Sequence, residues 1–266
     1  GNYGKGYIPW NGTANSIENL ALQKNDSLLC LDELTNLKTR EVIEQVAYLI
    51  INGQSKNRAD SKGVGFGNRT TKTWNTMVLS SGEPSFAAHI ANLSGEIKGG
   101  QTVRFIVISA EYGVFEDLHD KENPKQFAEF LRDACSQYKG TPINAFLDYI
   151  FIENNFDDIL KEIELLKTEW LDLNLPANAT SQVGRVAEVL SIIAAAGVIA
   201  TRSGVLPVEY GFTKTAAFEN VAKIFKRWLN EIEDYTTPSE VKVIKQRLIK
   251  FWLDNHNNFY YKSDEE

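Results

Sequence analysis

Three short apolar runs constrain the fold of this chain more than any other feature. They are "LLCLD" at 28–32, "WNTMVL" at 74–79 and "VRFIVI" at 103–108. Runs of this length are typical of strands that are buried on both faces of a parallel sheet. Parallel strands need crossover connections, and helical patterns do lie between these runs. The sequence therefore predicts an α/β core with a parallel sheet.

Helical spacing follows the first run and dominates the rest of the chain. Residues 39–51 carry an apolar stripe, with Thr39 placed to cap the helix and Gly53 to end it. The segment "EPSFAAHIANL", 83–93, predicts a short helix. From about residue 124 the pattern is helical throughout, and it predicts helices at 123–138 and near 181–200 with a break at 173–180. Two amphipathic helices close the chain, and the second begins with a capping box at 237–240. These patterns predict an α/β part over 1–120 and an all-α part after it.

Composition excludes several classes of protein. The net charge of −7 disfavours bulk attraction to nucleic acid or to an anionic membrane. The two cysteines and three histidines do not have metal-ligand spacing, and a disulfide framework is not expected. The most apolar stretch, "VAEVLSIIAAAGVIA", includes Glu188 and Ser191, which favours a core helix over a membrane span. We therefore expect a cytoplasmic protein with no membrane partner.

The opening letters, "GNYGKG", are superficially similar to a phosphate-binding loop. Such a loop has the pattern G-x-x-x-x-G-K-[ST] between a strand and a helix. Here Gly1 and Gly4 are too close together, and Lys5 is followed by Gly6 rather than by Ser or Thr. The chain therefore lacks a recognisable phosphate-binding loop.

An acid pair, Asp32-Glu33, directly follows the first apolar run. Adjacent acids at the carboxyl end of a parallel strand can hold Mg²⁺ through water and polarise an attacking water in phosphoryl transfer. The alternative is that the pair only ends the strand or caps the next helix. A second polar group, with Ser80, Ser81 and Glu83, follows the run at 74–79 and either reaches the same site or forms an ordinary polar turn.

Basic residues are concentrated between the first two runs. The segment 54–72 contains a single acid, Asp60, and these Lys and Arg residues: Lys56, Arg58, Lys62, Arg69 and Lys72. They suit contact with a phosphate backbone, although a solvated loop has the same composition. Arg104 and Arg185 stand at the start of a predicted strand and a predicted helix, where arginine commonly pairs with a carboxylate.

In this order, several blocks of the sequence resemble a known family. The blocks are "WNGTANSIENLALQKNDSLLCLDEL", "YLIINGQSKNRAD", "TWNTMVLSSGE", "GGQTVRFIVISA", "GVFEDLH" and "GRVAEVLSIIAAAGVIAT". They resemble the bacterial domain of unknown function nine-two-seven, which occurs in primase-helicase proteins of phages, plasmids and genomic islands. Its members are thought to be AAA+ ATPases related to replicative helicases.

The resemblance implies a role for each candidate residue. Asp32 and Glu33 would be the Walker B pair, with Asp32 on Mg²⁺ and Glu33 activating water, and Ser81 or Ser80 would be the sensor on the next strand. The segment 54–72 would be a DNA-gripping hairpin. Arg104 would be an arginine finger that reaches the ATP of a neighbouring subunit, and Arg185 a second sensor at the start of the lid helix.

The same resemblance implies a fold and a function for the parent protein. The fold would be an AAA+ core of the P-loop NTPase kind over 1–120, incomplete because the phosphate loop lies upstream of residue 1. A helical lid over 121–205 would follow, and trailing helices over 206–266 would begin a winged-helix or partner-binding part. The function would be an ATP- and Mg²⁺-dependent DNA helicase or replication initiator that assembles into a ring on single-stranded or forked DNA. The chain has no Walker A lysine, so a degenerate AAA+ scaffold or nucleic-acid-binding module without ATPase activity is the alternative, and a metal-dependent nuclease is a third reading.

Overall fold

A computed structural model describes residues 7–55, 71–84, 88–89, 92, 106–110, 115, 117–138, 140–232 and 239–255. The chain forms two compact units, Gly1–Val107 and Ile108–Glu266. The first unit is mixed α/β and the second is helical in its described residues. The domain limits at 120 and 205 that the sequence predicts remain predictions.

The first unit contains a parallel sheet of three strands within its described residues. The strands are β1 (Ile8–Pro9), β2 (Ser27–Asp32) and β3 (Thr76–Ser80), and they lie in the order β1-β2-β3. The two predicted runs at 28–32 and 74–79 are thus confirmed as neighbouring parallel strands. The sequence reading missed β1, a two-residue edge strand in which Pro9 is tolerated because an edge strand can do without one backbone donor.

Two helices cover one face of this sheet. Helix α1 (Ala14–Gln23) is capped by the side chain of Thr13, and α2 (Arg40–Asn52) ends at Gly53, whose φ of 62° is in the left-handed region. The alternation of β2 directs Leu29 and Leu31 toward this layer, and both are almost fully buried. They join a core that also contains these residues: Trp10, Ile17, Ala21, Leu34, Leu37, Ile43, Val46 and Trp74.

The predicted strand at 103–108 is wrong in the part that the structure describes. Residues 106–108 have no regular secondary structure, and 103–105 lie outside the described residues. Val107 instead packs as a partly buried residue against the core of the first unit, and Ile108 begins the second unit. At the end of this run, Val107 therefore contributes to packing, and residues 106–108 do not pair as a strand. Of the predicted helix at 83–93, residues 88, 89 and 92 are helical, and 85–87, 90–91 and 93 lie outside.

The described residues of the second unit are mainly helical. Its α-helices are α3 (Pro124–Gln137), α4 (Thr141–Asp148), α5 (Phe156–Asn174), α6 (Ser181–Arg202), α7 (Lys214–Asn230) and α8 (Ser239–Asn255), and a π-helical segment, Tyr149–Glu153, follows α4. The helices predicted at 123–138 and 181–200 are confirmed as α3 and α6, with Asn123 and Thr180 as their N-caps. The residues 237–238 of the predicted capping box lie outside the described residues.

Helix α6 is the centre of the second unit. It packs against α5 on one side and α7 on the other. The approach to α7 is close at Gly197, where an added Cβ would lie 3.1 Å from the Cβ of Ala217. Trp170 of α5 is fully buried, and its indole donates a 3.2 Å hydrogen bond to the carbonyl of Phe218 in α7. These contacts join the three helices around one core.

Helix α6 is also long and apolar enough to cross a membrane by length and composition alone. Half of its most apolar 18-residue window is buried within the protein. The core helix of a soluble protein has the same properties, so the sequence prediction of a core helix agrees with the packing of α6.

Candidate functional site

The two predicted acids lie at the carboxyl end of the central strand. Asp32 is the last residue of β2, and its register partner on one side is Pro9 of β1. On the other side Leu31 is paired with Ser80, the last residue of β3. Parallel topology therefore brings Asp32, Glu33, Ser80 and Ser81 to one edge of the sheet, which is the edge where α/β proteins carry their sites.

Ser81 is the serine that contacts Asp32. Its hydroxyl donates a hydrogen bond to Oδ1 of Asp32. Its backbone is anchored on both sides, since its N–H donates to the carbonyl of Leu31 at 3.1 Å and its carbonyl accepts from the N–H of Leu34 at 3.0 Å. The adjacent Gly82 has no room for a side chain, because an added Cβ would lie 2.9 Å from the Cβ of Leu34. The sequence left Ser80 and Ser81 as alternatives, and the geometry favours Ser81.

Ser80 has a different partner. The buried indole of Trp10 donates to its hydroxyl at 2.8 Å, and the backbone N–H of Trp10 donates to the carbonyl of Asp32 at 2.9 Å. Trp10 therefore ties the ends of all three strands together. No spacing signal in the sequence connects Trp10 to Ser80, which is 70 residues away.

Glu33 has a left-handed backbone conformation, with φ of 60°. Its carboxylate caps the 3₁₀ turn Leu34–Asn36, where Oε1 accepts hydrogen bonds from the backbone N–H of Thr35 at 3.2 Å and from the hydroxyl of Thr35. Non-glycine residues adopt this conformation at an energetic cost of roughly 1 kcal/mol, and such outliers concentrate at functional sites. In this structure Glu33 is thus a capping residue, which was the alternative reading of the acid pair.

One carboxylate at this edge, that of Asp32, would suit a magnesium ion whose other ligands are waters and the phosphates of a bound substrate. The described residues contain no cluster of three or more His, Cys, Asp or Glu that could hold a metal by themselves. Mg²⁺ typically retains several waters and takes one or two protein carboxylates together with substrate phosphates. Asp32, oriented by Ser81, is a carboxylate of that kind.

The remaining predicted residues lie outside the described part of the chain, at another place in the first unit, or in the second unit. Lys56, Arg58, Lys62, Arg69 and Arg104 lie outside the described residues. Lys72 is half-buried, and its backbone pairs with Ser55, in contacts of 2.8 and 2.9 Å. Together with the antiparallel bridge between Gln54 and Thr73, this pairing brings both flanks of the segment 56–70 together. Arg185 is exposed on α6 in the second unit.

Comparison with known proteins gives one family. The family described as "Domain of unknown function (DUF927)" matches residues 2–70, which include β1, α1, β2 and α2. No curated protein and no solved structure matches the chain. The site acids Asp32 and Glu33 therefore lie within the matched part, whereas Ser80 and Ser81 lie beyond it.

Proposed function

We propose that this chain is part of an AAA+ motor, from an ATP-driven DNA helicase or replication initiator of a mobile genetic element. The observation that carries the proposal is the carboxylate of Asp32 at the carboxyl end of a central parallel strand, in contact with Ser81 of the neighbouring strand. The match of residues 2–70 to a domain family supports it less specifically, because that family has no assigned function.

The proposed chemistry assigns one task to each residue. Asp32 holds Mg²⁺ through water, and Ser81 keeps its carboxylate in one orientation and senses the phosphate beside it. Glu33 polarises the attacking water, which requires its carboxylate to leave the two donors of Thr35. When bound, ATP would supply the phosphoryl group, and Mg²⁺ would neutralise part of the negative charge on its phosphates.

The exposed face of the sheet, within the described residues, supports a phosphate-binding loop contributed by a further segment of the parent protein. Strand β3 is an edge strand among the described strands, and Leu28, Met77 and Leu79 lie on one face of the sheet with exposures of 47%, 50% and 62%. Parallel sheets are normally covered on both faces. A strand and helix that extend the sheet beyond β3 would cover these side chains and bring their connecting loop beside Ser81.

The other parts of the proposal follow the resemblance. The segment 54–72 would grip single-stranded or forked DNA through Lys56, Arg58, Lys62, Arg69 and Lys72, in a ring of subunits. Arg104 would be an arginine finger and Arg185 a second sensor. The paired flanks of the segment 56–70 are compatible with a protruding hairpin. We place this assembly in the cytoplasm.

A scaffold without ATPase activity is the second candidate function. The capping role of Glu33 favours it, because a carboxylate that only caps the turn Leu34–Asn36 needs no nucleotide. In that case the acid pair and the two serines would only stabilise the carboxyl ends of the strands.

The deciding experiment measures ATP binding and turnover by the protein and its variants. We expect Glu33→Gln to retain ATP binding and to reduce turnover by at least about 100-fold, as removal of a catalytic group generally does. Asp26→Asn is the matched control, because Asp26 is an exposed acid at the opposite, amino end of β2 and should leave turnover unchanged. Turnover that Glu33→Gln does not reduce would favour the scaffold.

A further inference from the structure

The carboxylate of Glu33 is held by Thr35, two residues further along the chain. Its Oε1 atom accepts a hydrogen bond from the backbone N–H of Thr35 at 3.2 Å and another from the hydroxyl of Thr35. Both residues are half-buried, so water competes less for these bonds than it would at an open surface. Hydrogen bonds to a charged acceptor are also stronger than those between neutral groups. Thr35 therefore determines the resting orientation of the Glu33 carboxylate.

The backbone of Glu33 is fixed by contacts with the residues that follow β3. Its N–H donates to the hydroxyl of Ser81 at 3.4 Å, and the N–H of Leu34 donates to the carbonyl of Ser81 at 3.0 Å. Gly82 lies so close to Leu34 that an added Cβ would be 2.9 Å from the Cβ of Leu34. Because these contacts hold the backbone at a φ of 60°, the carboxylate moves by rotation of its side chain alone. It thus has two states, held by Thr35 or released from it.

The held state is unsuited to the activation of water. A general base must accept a hydrogen bond from the water whose proton it takes. The two donors of Thr35 occupy both lone pairs of Oε1 and turn the carboxylate toward the 3₁₀ turn Leu34–Asn36. Activation of water beside a phosphate would therefore follow release from Thr35.

We propose that Thr35 is a positioning residue whose hydroxyl restrains ATP turnover by keeping Glu33 in the held state. This role rests on the proposed ATPase function, because without turnover there is no step for Thr35 to restrain. A contact that only caps the turn would stabilise the fold, so its loss would leave turnover unchanged or lower. A contact that restrains Glu33 has the opposite signature, since its loss raises turnover.

The size of the effect follows from the strength of one hydrogen bond. The hydroxyl supplies one of the two donors, and the backbone N–H of Thr35 remains when the hydroxyl is removed. A factor of about ten between the held and released states corresponds to about 1.4 kcal/mol, close to the lower end of the range for hydrogen bonds to charged groups. While the held state predominates, the released fraction and kcat rise together. We therefore expect loss of the hydroxyl to raise kcat by about 3- to 10-fold.

Steady-state ATP turnover by the protein, with kcat and KM measured separately, tests this role. Thr35→Val keeps the shape of the side chain and removes the hydroxyl, so kcat should rise by about 3- to 10-fold while KM stays the same. Thr35→Ser restores the hydroxyl and should turn over ATP like the wild type. Thr39→Val is the matched control, because Thr39 is exposed and its side chain makes no capping hydrogen bond to α2, so kcat should not change. The double variant Glu33→Gln/Thr35→Val should be as slow as Glu33→Gln, since the gain depends on the Glu33 carboxylate.

Failure of this role and failure of the ATPase function give different results. In a wild-type protein that hydrolyses ATP, an unchanged or lower kcat in Thr35→Val, an equal rise in Thr39→Val, or a rise that persists with Glu33→Gln would overturn the role of Thr35 alone. A wild-type protein that does not hydrolyse ATP would overturn the ATPase function and this role with it. Circular dichroism checks that Thr35→Val is folded, and Thr35→Ala, which also lacks the hydroxyl, replaces it if it is not.

Discussion

Two buried tryptophans in the first unit provide a matched pair that tests the contact between Trp10 and Ser80. Both are almost fully buried, with exposures of 2% for Trp10 and 3% for Trp74. The indole of Trp10 donates to Ser80 at 2.8 Å, whereas the indole nitrogen of Trp74 has no hydrogen-bond partner in the described part of the chain. Replacement by Phe removes the indole N–H at both positions. At Trp10 this loses a hydrogen bond, whereas at Trp74 it removes a buried donor that has no partner among the described residues.

The expected magnitudes follow from packing and hydrogen bonding. Loss of about 40 Å³ of side chain costs about 1 kcal/mol at either position, at roughly 24 cal/mol per Å³ of cavity. Trp10→Phe also loses a hydrogen bond worth about 1 kcal/mol, so it should destabilise the first unit by about 2 kcal/mol. Trp74→Phe removes an unsatisfied buried donor, which offsets its packing loss by about 1–3 kcal/mol and makes it neutral or stabilising.

Hydrogen exchange measured by mass spectrometry on peptides that cover β2 reports the opening free energy of this unit. A difference of about 2 kcal/mol between the variants corresponds to roughly 30-fold faster exchange in Trp10→Phe than in Trp74→Phe. Equal exchange rates, or faster exchange in Trp74→Phe, would show that the Trp10–Ser80 hydrogen bond does not stabilise the sheet edge.

Three further predictions follow from other contacts. Gly53→Ala should destabilise the first unit by at least about 1 kcal/mol in urea denaturation, because φ is 62° there and an added Cβ would lie 2.7 Å from the carbonyl oxygen of Trp74; an unchanged midpoint would contradict this. Trp170→Phe should destabilise the second unit by about 2 kcal/mol in thermal denaturation, since it loses both packing and the hydrogen bond to Phe218, and a shift within error of zero would count against that contact. If the proposed ATPase function holds, Ser81→Ala should lower ATP turnover by at least about tenfold and Ser80→Ala by less, because of these two serines Ser81 is the one that contacts Asp32; the reverse order in a steady-state assay would reject Ser81 as the sensor.

Apolar patterning predicted the parallel pairing of the first unit well. Strand β2 and helix α2 were expected within one or two residues of their observed ends, because an uninterrupted apolar run and a helical stripe ending at glycine are both strong local signals. The run at 103–108 has an equally apolar composition, yet 106–108 are not in a strand. Apolar residues are buried equally well by packing without strand pairing, so composition alone could not distinguish the two.

The edge strand and the fine structure of the site depend on long-range contacts that local patterns do not encode. Strand β1 has only two residues and includes Pro9, which argues against a strand in any local reading. The partners of Ser80 and Ser81 are 70 and 49 residues away in sequence. The capping contact of Glu33 with Thr35 is local, and the sequence left capping open as the alternative to water activation. The left-handed backbone of Glu33 is rare for a non-glycine residue, so no sequence pattern predicted it.

The most direct test of the central claim locates the metal of a bound nucleotide. Crystals of the protein grown with Mn²⁺ and a non-hydrolysable ATP analogue would show manganese by its anomalous scattering. We predict a peak about 4–5 Å from the Asp32 carboxylate, one water layer away, at the carboxyl end of β2. A nucleotide-bound manganese far from Asp32, or nucleotide bound with no metal at this edge of the sheet, would contradict the account.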